Sequence, residues 1–360
     1  MNKLNFKEEE KIIMPNKQPL DINIFGLSAS QKLTNEVCEI LNIKQKRVQT
    51  TKFADGEILI QSLDSVRGRE IYIIQSTNQP VSENLMELLI AIDAFKRGNA
   101  AKINVVIPYY GYARQDRKAK GRQPITAKLV ADLLTKAGAH KVITIDIHSQ
   151  QIMGFFDIPM ENFQTSESLA TEIVNTIINE KLDHKNCILV SPDYGGLTRV
   201  HNVDSYTGLM TDGIAVIAKR RPGPNMAEVE FVLGDIAGKT CFIIDDMIDT
   251  GGTIINAAKA LKDNGAKDVY IFACHGLFNG AAVEKMNEAI TNKIIKRVVV
   301  TNTIEIPKEK QFEGLKIISI AHLLADMIEA SVQNHSLTDV YNNARCKLAK
   351  YIEEYTKTNK

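Results

Sequence analysis

The most regular feature of the chain is an alternation of short apolar runs with longer amphipathic segments. Residues 71–74, 103–107 and 142–145 are apolar and rich in β-branched side chains, whereas residues 84–96 and 126–137 between them have the apolar spacing of helices. Strands that are buried on both faces have this uniform apolar character. Their alternation with helices predicts an α/β fold with mainly parallel sheets flanked by helices.

The same rhythm returns in the second part of the chain and indicates an internal duplication. The predicted strands there are residues 187–190, 214–218, 241–244, 269–273 and 298–300. The stretch that begins IYIIQSTNQP and ends INVVIPY matches the stretch that begins CFIIDDMIDT and ends VYIFACHG, in the order strand, loop, helix, turn, strand. The sequence therefore predicts two similar domains with a junction near residues 163–167.

We expect the two domains to cover residues 21–164 and 165–318, with residues 319–341 completing the first domain. Residues 1–20 and 342–360 are polar and rich in lysine. Such terminal segments are commonly mobile or peripheral. They are predicted to be an N-terminal tail and a polar C-terminal extension.

Composition narrows the class of protein without identifying a function. The chain has 360 residues, of which 44% are hydrophobic and 24% charged, which is enough for two domains with cores of their own. A net charge of +1 does not favour nucleic acid as the main partner. Long apolar runs and a signal-peptide core are absent, so we expect a cytoplasmic protein without membrane contact. The five cysteines lack metal-ligand spacing and are expected to be structural.

One loop carries the strongest functional signal. The segment CFIIDDMIDTGGT runs from an apolar strand through Asp245, Asp246 and Asp249 to two glycines between threonines, and a helical pattern begins at Ile254. Residues 245–253 are therefore predicted as a strand-to-helix loop. Unpaired N–H groups at such a helix start favour a phosphate, and glycine lets it approach closely. The acids suit sugar hydroxyls or a metal ion, so the loop fits a ribose phosphate; a plain capping turn is the alternative.

A second candidate site is the basic loop that follows the predicted strand at residues 103–107. It contains five cations in nine positions, namely Arg114, Arg117, Lys118, Lys120 and Arg122. Loops after the ends of parallel strands are where α/β folds contact ligands. Because arginine forks match phosphate oxygens, a polyphosphate site is favoured over an exposed charged surface.

Two more polar residues directly follow predicted strands. His148 lies beside Asp146 and is either a structural side chain or a contact to Mg²⁺ or phosphate. Asp193 precedes two glycines and is either a helix N-cap or a carboxylate for metal or ribose.

The segment KRRPGPN, residues 219–225, combines three cations with two prolines and a glycine. This density of proline and glycine excludes a regular helix and predicts a mobile flap with Lys219, Arg220 and Arg221 at its base. Such a flap can close over a phosphoryl group and neutralise charge in the transition state. The alternative is an exposed basic hairpin.

Together these segments resemble one family. FADGE, YARQDRKA, DIHSQQIMGFFDIP, SPDYGG, KRRPGPN and DDMIDTGGT occur in this order between residues 53 and 253. Over residues 22–341 the chain resembles the class I ribose-phosphate pyrophosphokinases, also called phosphoribosyl diphosphate synthetases, whose two domains have the phosphoribosyltransferase fold. The resemblance implies that the diphosphoryl group of ATP is transferred to the 1-hydroxyl of ribose 5-phosphate, with Mg²⁺ as cofactor and AMP as the second product. It also implies a cytoplasmic enzyme of nucleotide biosynthesis and a homohexamer whose adenine site is shared between subunits.

The resemblance assigns roles to individual residues. ATP contacts are implied at Phe53, Asp55, Glu57, Arg114, Gln115 and Asp116. Ribose 5-phosphate contacts are implied at Asp245, Asp246, Asp249, Thr250, Gly251, Gly252 and Thr253. The implied metal ligands are His148 and Asp193, and the implied catalytic pair is Lys219 and Arg221, which would stabilise the charge on the transferring group.

The resemblance is weakest where family members respond to phosphate and ADP. The allosteric positions that match are Ser65, Arg67, Ser149 and Gln150. Met153 stands where glutamine is usual, and Ser336-Leu337-Thr338 replaces a Ser-Val-Ser segment. Because methionine cannot make the hydrogen bonds of an amide, we expect an altered allosteric response.

Two other functions share some of these motifs. A non-catalytic regulatory subunit of the same fold would have a disrupted or enlarged flap, whereas Lys219 and Arg221 are present here and the flap is short. A phosphoribosyltransferase would share DDMIDTGGT but would leave FADGE, YARQDRKA and the duplication unexplained.

Overall fold

The computed structural model describes residues 20–208, 211–223 and 226–358, and it leaves the side chains of residues 219–230 and 358 undescribed. Within this part of the chain the strands are β1 (Ile22–Gly26), β2 (Val48–Lys52), β3 (Ile58–Ser62), β4 (Glu70–Ile74), β5 (Lys102–Ile107), β6 (Lys141–Ile145), β7 (Met160–Phe163), β8 (Cys187–Ser191), β9 (Ile214–Gly223), β10 (Met226–Leu233), β11 (Thr240–Ile248), β12 (Asp268–Gly276), β13 (Arg297–Thr301) and β14 (Leu315–Ile318). The helices are α1 (Gln31–Ile40), α2 (Val81–Arg97), α3 (Thr126–Ala137), α4 (Ser166–Asn179), α5 (Leu197–Thr207), α6 (Gly252–Asp263), α7 (Ala282–Thr291), α8 (Ala321–Gln333) and α9 (Leu337–Thr358).

Two mainly parallel sheets form the framework, which confirms the predicted fold class. The first has the strand order β1-β4-β5-β6-β7 and is parallel throughout. The second has the order β10-β9-β8-β11-β12-β13-β14 and is parallel except for the β9–β10 hairpin. The apolar runs of the central strands are buried in both sheets, and only the polar first residues of β4 and β5 are accessible.

The internal duplication is visible in the order of the strands. Strands β1, β4, β5, β6 and β7 of the first sheet have the same chain order and sheet order as β8, β11, β12, β13 and β14 of the second. A hairpin follows the first strand and helix of each half: β2–β3 after α1, and β9–β10 after α5. The loop after β5 is therefore equivalent to the loop after β12. Of these two loops, only the one after β5 carries a sequence motif of the candidate site.

Helix α2 shows how the sequence fixes one layer of the fold. Leu85, Leu88, Ile92 and Phe95 recur at the three- and four-residue spacing of one helical face, and all four are buried against β5 and neighbouring strands. Lys96 and its neighbour in the last turn complement the negative end of the helix dipole. The sequence of α2 therefore specifies which face is buried, by the spacing of its apolar residues, and it stabilises the end of the helix by its basic residues.

The C-terminal residues correct the prediction of a peripheral extension. Within the described range, residues 337–358 form α9, and Leu348 and Ile352 are buried in a cluster with side chains of α4 and α5. The hydroxyl of Tyr351 hydrogen-bonds to Asn175 at 3.3 Å. The prediction was wrong because a sparse apolar stripe, spaced by three or four residues among lysines and glutamates, is enough to dock a helix.

Helix α8 packs with the first half of the chain although it follows the second sheet. Leu324 and Ile328 of α8 lie in one buried cluster with Ile24 of β1 and Val37 of α1. We propose that the first domain comprises residues 21–164 completed by residues 319–341, and the second residues 165–318. No helix in the described part of the chain is long and apolar enough to span a membrane.

The segment predicted as an irregular flap is a β-hairpin for the residues that the structure describes. Its first strand, β9, continues through residue 223, and Val229 of β10 pairs with Lys219. A register shift lies between Met226 and Glu228. An extended strand can accommodate this sequence because Pro222 and Gly223 are the last two residues of β9. The alternative of a basic hairpin is thus the one that fits the backbone.

Candidate active site

Strand β11 carries the first two acids of the loop motif, which corrects the predicted loop boundary. The strand does not stop at Ile244 but continues to Ile248, because Asp245, Met247 and Ile248 pair in parallel with β12. The sequence hid this extension since acidic residues interrupt the apolar run. Asp245 and Asp246 are therefore held on a rigid strand, and the turn into α6 is only three residues long.

A partly buried arginine lies close to both of these acids. Arg199 of α5 places its two terminal nitrogens 3.8 Å from Asp245 Oδ1 and 3.9 Å from Asp246 Oδ2. On the other side, His148 Nδ1 is 2.7 Å from Asp246 Oδ2. Two adjacent carboxylates repel each other, so an arginine close to both is the main source of compensating charge. His148 lies 98 positions away in the sequence and joins the first half of the chain to the second.

The two acids differ in protonation behaviour. Burial, and then the neighbouring charge of Asp246, raise the pKa of Asp245 well above its ordinary value. Burial alone would also raise the pKa of Asp246, but the hydrogen bond from His148 and the charge of Arg199 lower it below its ordinary value. The pair therefore contains one carboxylate that is stabilised by its partners and one that is costly to ionise.

The third acid of the motif meets the basic loop of the first half. Arg114 donates from Nη1 to Asp249 Oδ2 at 2.5 Å, across 135 positions of sequence. The second oxygen of Asp249 accepts a hydrogen bond from Asn279 Nδ2 at 2.9 Å. The structure thus brings together two segments that were predicted separately, one as a polyphosphate site and one as a sugar-phosphate site.

Helix α6 begins immediately after Asp249 with free backbone donors. Its N-cap is Gly251, which has a positive φ of 76° and supplies no side-chain cap. A Cβ atom on Gly252 would meet no atom within 4 Å, so space lies open in front of the helix start. Uncapped N–H groups facing open space at a helix N-terminus are suited to a phosphate.

The two glycines are expected to respond differently to alanine. In Gly251→Ala, the positive φ and a Cβ only 3.0 Å from Met286 Cε should cost about 1–2 kcal/mol of stability. In Gly252→Ala, stability should stay unchanged, whereas the KM for ribose 5-phosphate should rise about tenfold if the phosphate approaches here. Thermal unfolding and steady-state kinetics of both variants check this. An unchanged KM in Gly252→Ala would contradict the phosphate site.

The predicted metal ligands follow strands of different sheets, His148 after β6 of the first and Asp193 after β8 of the second. His148 is half exposed, and Asp246 holds its Nδ1, which leaves Nε2 for a ligand. This is the usual arrangement of a metal-binding histidine with a carboxylate behind it. Asp193 follows β8 and caps a short 3-10 turn by accepting from the N–H of Gly196 at 3.0 Å. The N-cap role is therefore observed, and the carboxylate remains at the surface of the site.

Among the described residues, no group of three or more histidine, cysteine or acidic side chains is placed to hold a metal ion. Mg²⁺ commonly takes only one or two protein ligands and completes its shell with water and substrate phosphates. A histidine with one free nitrogen and a nearby carboxylate fit that pattern.

The remaining predicted ATP residues divide into two places. Gln115 accepts from the hydroxyl of Thr126 at 2.5 Å, and Asp116 accepts from Gln151 Nε2 at 2.7 Å, so both lie beside Arg114. The FADGE turn lies elsewhere, at the tip of the β2–β3 hairpin.

This turn is closed by the Phe53 N–H, which donates to the carbonyl of Glu57 at 2.8 Å, while Asp55 accepts from the Glu57 N–H. The ring of Phe53 is 49% exposed. About half of this large apolar side chain is accessible at the tip of the hairpin.

The predicted catalytic pair is only partly described. The backbones of Lys219 and Arg221 belong to β9, and their side chains lie outside the described residues.

The predicted allosteric residues lie in two separate segments of the chain. Ser65 and Arg67 are exposed between β3 and β4, and Ser149 precedes a 3-10 turn at Gln150–Phe155. Met153 in this turn is exposed. Their role stays a prediction.

Two residues of the site were missed by sequence reasoning. Arg199 stands alone after the SPDYGG motif, and no spacing rule indicates that it pairs with acids on another strand. Asn279 has a weak signal, because the loop after β12 is equivalent by duplication to the loop that carries Arg114.

Comparison with known proteins agrees with the motifs. Residues 22–138 match the N-terminal domain of ribose phosphate pyrophosphokinase, and residues 213–342 match the phosphoribosyl synthetase-associated domain. The ribose-phosphate pyrophosphokinase of Ureaplasma parvum is 46% identical over 334 residues, which cover 92% of this chain and 98% of that protein. The enzyme of the same name from Bacillus subtilis is 46% identical over 325 residues, covering 89% and 98%.

A solved structure gives the same result for the fold. The phosphoribosylpyrophosphate synthetase from Mycobacterium smegmatis superposes with a TM-score of 0.78 at 38% sequence identity, covering 87% of this chain and 99% of that one. These matches cover nearly the full length of the two relatives and of the solved structure. The chain therefore belongs to the ribose-phosphate pyrophosphokinase family.

Proposed function

We propose that the protein is an active ribose-phosphate pyrophosphokinase, which transfers the diphosphoryl group of ATP to ribose 5-phosphate and supplies 5-phosphoribosyl 1-diphosphate for nucleotide biosynthesis. The observation that carries this proposal is the contact between Arg114 and Asp249. It joins the loop that resembles the family's ATP site to the loop that resembles its ribose 5-phosphate site. A phosphoribosyltransferase needs only the second of these loops.

The reaction requires no covalent intermediate on the protein. The 1-hydroxyl oxygen of the sugar attacks the β-phosphorus of ATP, the bond from that phosphorus to the α–β bridging oxygen breaks, AMP leaves and the hydroxyl proton is released. Positioning and charge neutralisation are the main sources of rate in such transfers. Asp245, Asp246 and Asp249 would hold the sugar hydroxyls, while the N–H groups at the start of α6 hold the 5-phosphate.

The residues that would bind ATP, the donor of the diphosphoryl group, are assigned by the same reasoning. Arg114, Gln115 and Asp116 would orient ATP, and Lys219 and Arg221 would neutralise the diphosphoryl group from the hairpin. His148 and Asp193 are the residues that would hold Mg²⁺. Mg²⁺ would supply positive charge that neutralises part of the negative charge of the triphosphate.

The experiment is a product analysis with the purified protein, ATP, Mg²⁺ and ribose 5-phosphate. We expect AMP and phosphoribosyl diphosphate in equal amounts, with no AMP when the sugar is omitted. ADP as the product would identify an ordinary sugar kinase. Retained ATP binding without turnover would favour a regulatory subunit.

We further propose a cytoplasmic homo-oligomer, of hexamer size, in which the Phe53 turn of one subunit completes the adenine site of another. The exposed ring at the hairpin tip supports this assignment. Mixing inactive Phe53→Ala and Lys219→Ala subunits in equal amounts should restore about a quarter of the wild-type activity, because half of random pairs contain one intact site. Activity that equals only the average of the two parents would place the turn in its own subunit's site.

A further inference from the structure

We propose that Asn279 and Lys310 are positioning residues for Asp249 and that they set the affinity of the site for ribose 5-phosphate. Neither residue belongs to a motif of the sequence. The inference rests on the proposed function, because it takes Asp249 as a contact to the sugar.

Asn279 fixes Asp249 by two hydrogen bonds. Its side-chain Nδ2 donates to Asp249 Oδ1 at 2.9 Å, and its backbone N–H donates to the Asp249 carbonyl at 3.0 Å. Arg114 occupies the other carboxylate oxygen. A carboxylate held at both oxygens and through its own backbone has a single orientation, which is what a group that recognises sugar hydroxyls requires.

Lys310 determines which way the amide of Asn279 points. Its ammonium donates to Asn279 Oδ1 at 3.1 Å and to the Leu277 carbonyl at 2.9 Å. An ammonium has only donors, so the amide oxygen must face Lys310 and the amide nitrogen must face Asp249. If Lys310 were absent, a flipped amide would turn its oxygen toward the carboxylate and repel it.

The internal duplication relates the two residues that hold the carboxylate of Asp249. Arg114 lies in the loop after β5, and Asn279 lies in the equivalent loop after β12. Each half of the chain therefore supplies one residue from an equivalent loop, and each of these residues donates a hydrogen bond to one carboxylate oxygen of Asp249. Only the first of these residues was indicated by a motif.

The hydrogen bonds of Asn279 and Lys310 lie beside a cleft and not inside a hydrophobic core. Asn279 and Lys310 are partly buried and line a cleft of about 720 Å³ between the two halves of the chain. Water in this cleft can satisfy the Leu277 carbonyl when the ammonium is removed, so Lys310→Met should fold. The effect of the variant should therefore appear in substrate binding and not in stability.

The test compares three variants by calorimetric binding of ribose 5-phosphate and by steady-state kinetics. Asn279→Asp places a second carboxylate against Asp249 and should raise the Kd and the KM for ribose 5-phosphate about tenfold. Lys310→Met should raise both about threefold, since the amide remains but loses its fixed orientation. In both, the KM for ATP should stay within about twofold of the wild type and the unfolding temperature nearly unchanged.

The matched control is Asn264→Asp, the same change at the opposite end of α6, where the amide only donates to the Ala260 carbonyl. It should leave the Kd for ribose 5-phosphate and both KM values unchanged, because it lies away from Asp249. Unaltered ribose 5-phosphate binding in both Asn279→Asp and Lys310→Met would overturn the inference, as would a lowered unfolding temperature without a change in KM. A wild-type protein that binds no ribose 5-phosphate would overturn the proposed function, and this inference with it.

Discussion

Replacement of Lys219 by alanine is expected to lower kcat about a thousandfold, with the KM for ribose 5-phosphate within about threefold of the wild type. The family resemblance assigns this lysine to the transferring diphosphoryl group. Because the chemistry needs no covalent nucleophile, charge neutralisation in the transition state is a principal source of rate, and interactions made only there change kcat. The measurement is the steady-state rate of AMP formation.

The position of Lys219 in the fold fits this expectation. Its backbone lies in β9, which pairs with β8, and β8 also pairs with β11, the strand that carries Asp245 and Asp246. Lys239→Ala is a suitable control, because Lys239 precedes β11 and forms ion pairs with Asp212 and Asp235. The control should keep the wild-type kcat. A Lys219→Ala variant that loses less than about tenfold would remove the lysine from the catalytic machinery.

The second large effect concerns Asp245 and Asp246. Replacing either residue by asparagine should lower the activity, but the two replacements should change the stability in opposite directions. Asp245→Asn should raise the unfolding temperature at neutral pH by a few degrees, and Asp246→Asn should lower it by a similar amount. Both should reduce kcat/KM for ribose 5-phosphate by about a hundredfold, because each removes a charged acceptor for a sugar hydroxyl. Thermal unfolding and kinetics on the same preparations test both parts.

The opposite signs follow from the directions in which the two pKa values shift. The pKa of Asp245 is raised by burial and by Asp246, so ionising Asp245 costs stability as the pH rises from its ordinary value to the raised one. The pKa of Asp246 is lowered, against the effect of burial, by His148 and Arg199. Its contribution is therefore fully present above the ordinary value and is lost as the pH falls through the lowered one.

The pH dependence provides the control for this prediction. The gain in Asp245→Asn should disappear when the pH approaches about 4, where aspartate in the unfolded chain begins to protonate. A gain that persists unchanged there would show that the cost of ionising Asp245, which arises from burial and from the charge of Asp246, is not its cause. The combination of higher stability and lower activity is expected of residues that are kept for a ligand.

Much of the framework could be predicted from sequence because its signals are local. A strand buried on both faces must be apolar, and a helix that covers it must repeat its apolar positions every three or four residues. Those constraints located β5, α2 and α3 and revealed the duplication. They failed at β11, where Asp245 and Asp246 interrupt the apolar run although pairing with β12 continues. They failed again at α9, whose buried stripe is diluted by charged residues.

The site was predictable to the extent that its residues belong to contiguous motifs. The helix start after Asp249 and the cations around Arg114 could be recognised in this way. Their contact with each other could not, because it depends on how two halves of the chain meet. Arg199 and Asn279 were missed for the same reason: each is a single polar residue whose partners come from a distant strand or turn.

The most direct test of the proposed activity follows the β-phosphorus of ATP. If ATP labelled with ³²P at the β position is incubated with ribose 5-phosphate, Mg²⁺ and the enzyme, the account predicts that the label moves to the sugar product and that the AMP is unlabelled. Label that remains with the nucleotide as ADP would show transfer of a single phosphoryl group and would contradict the account.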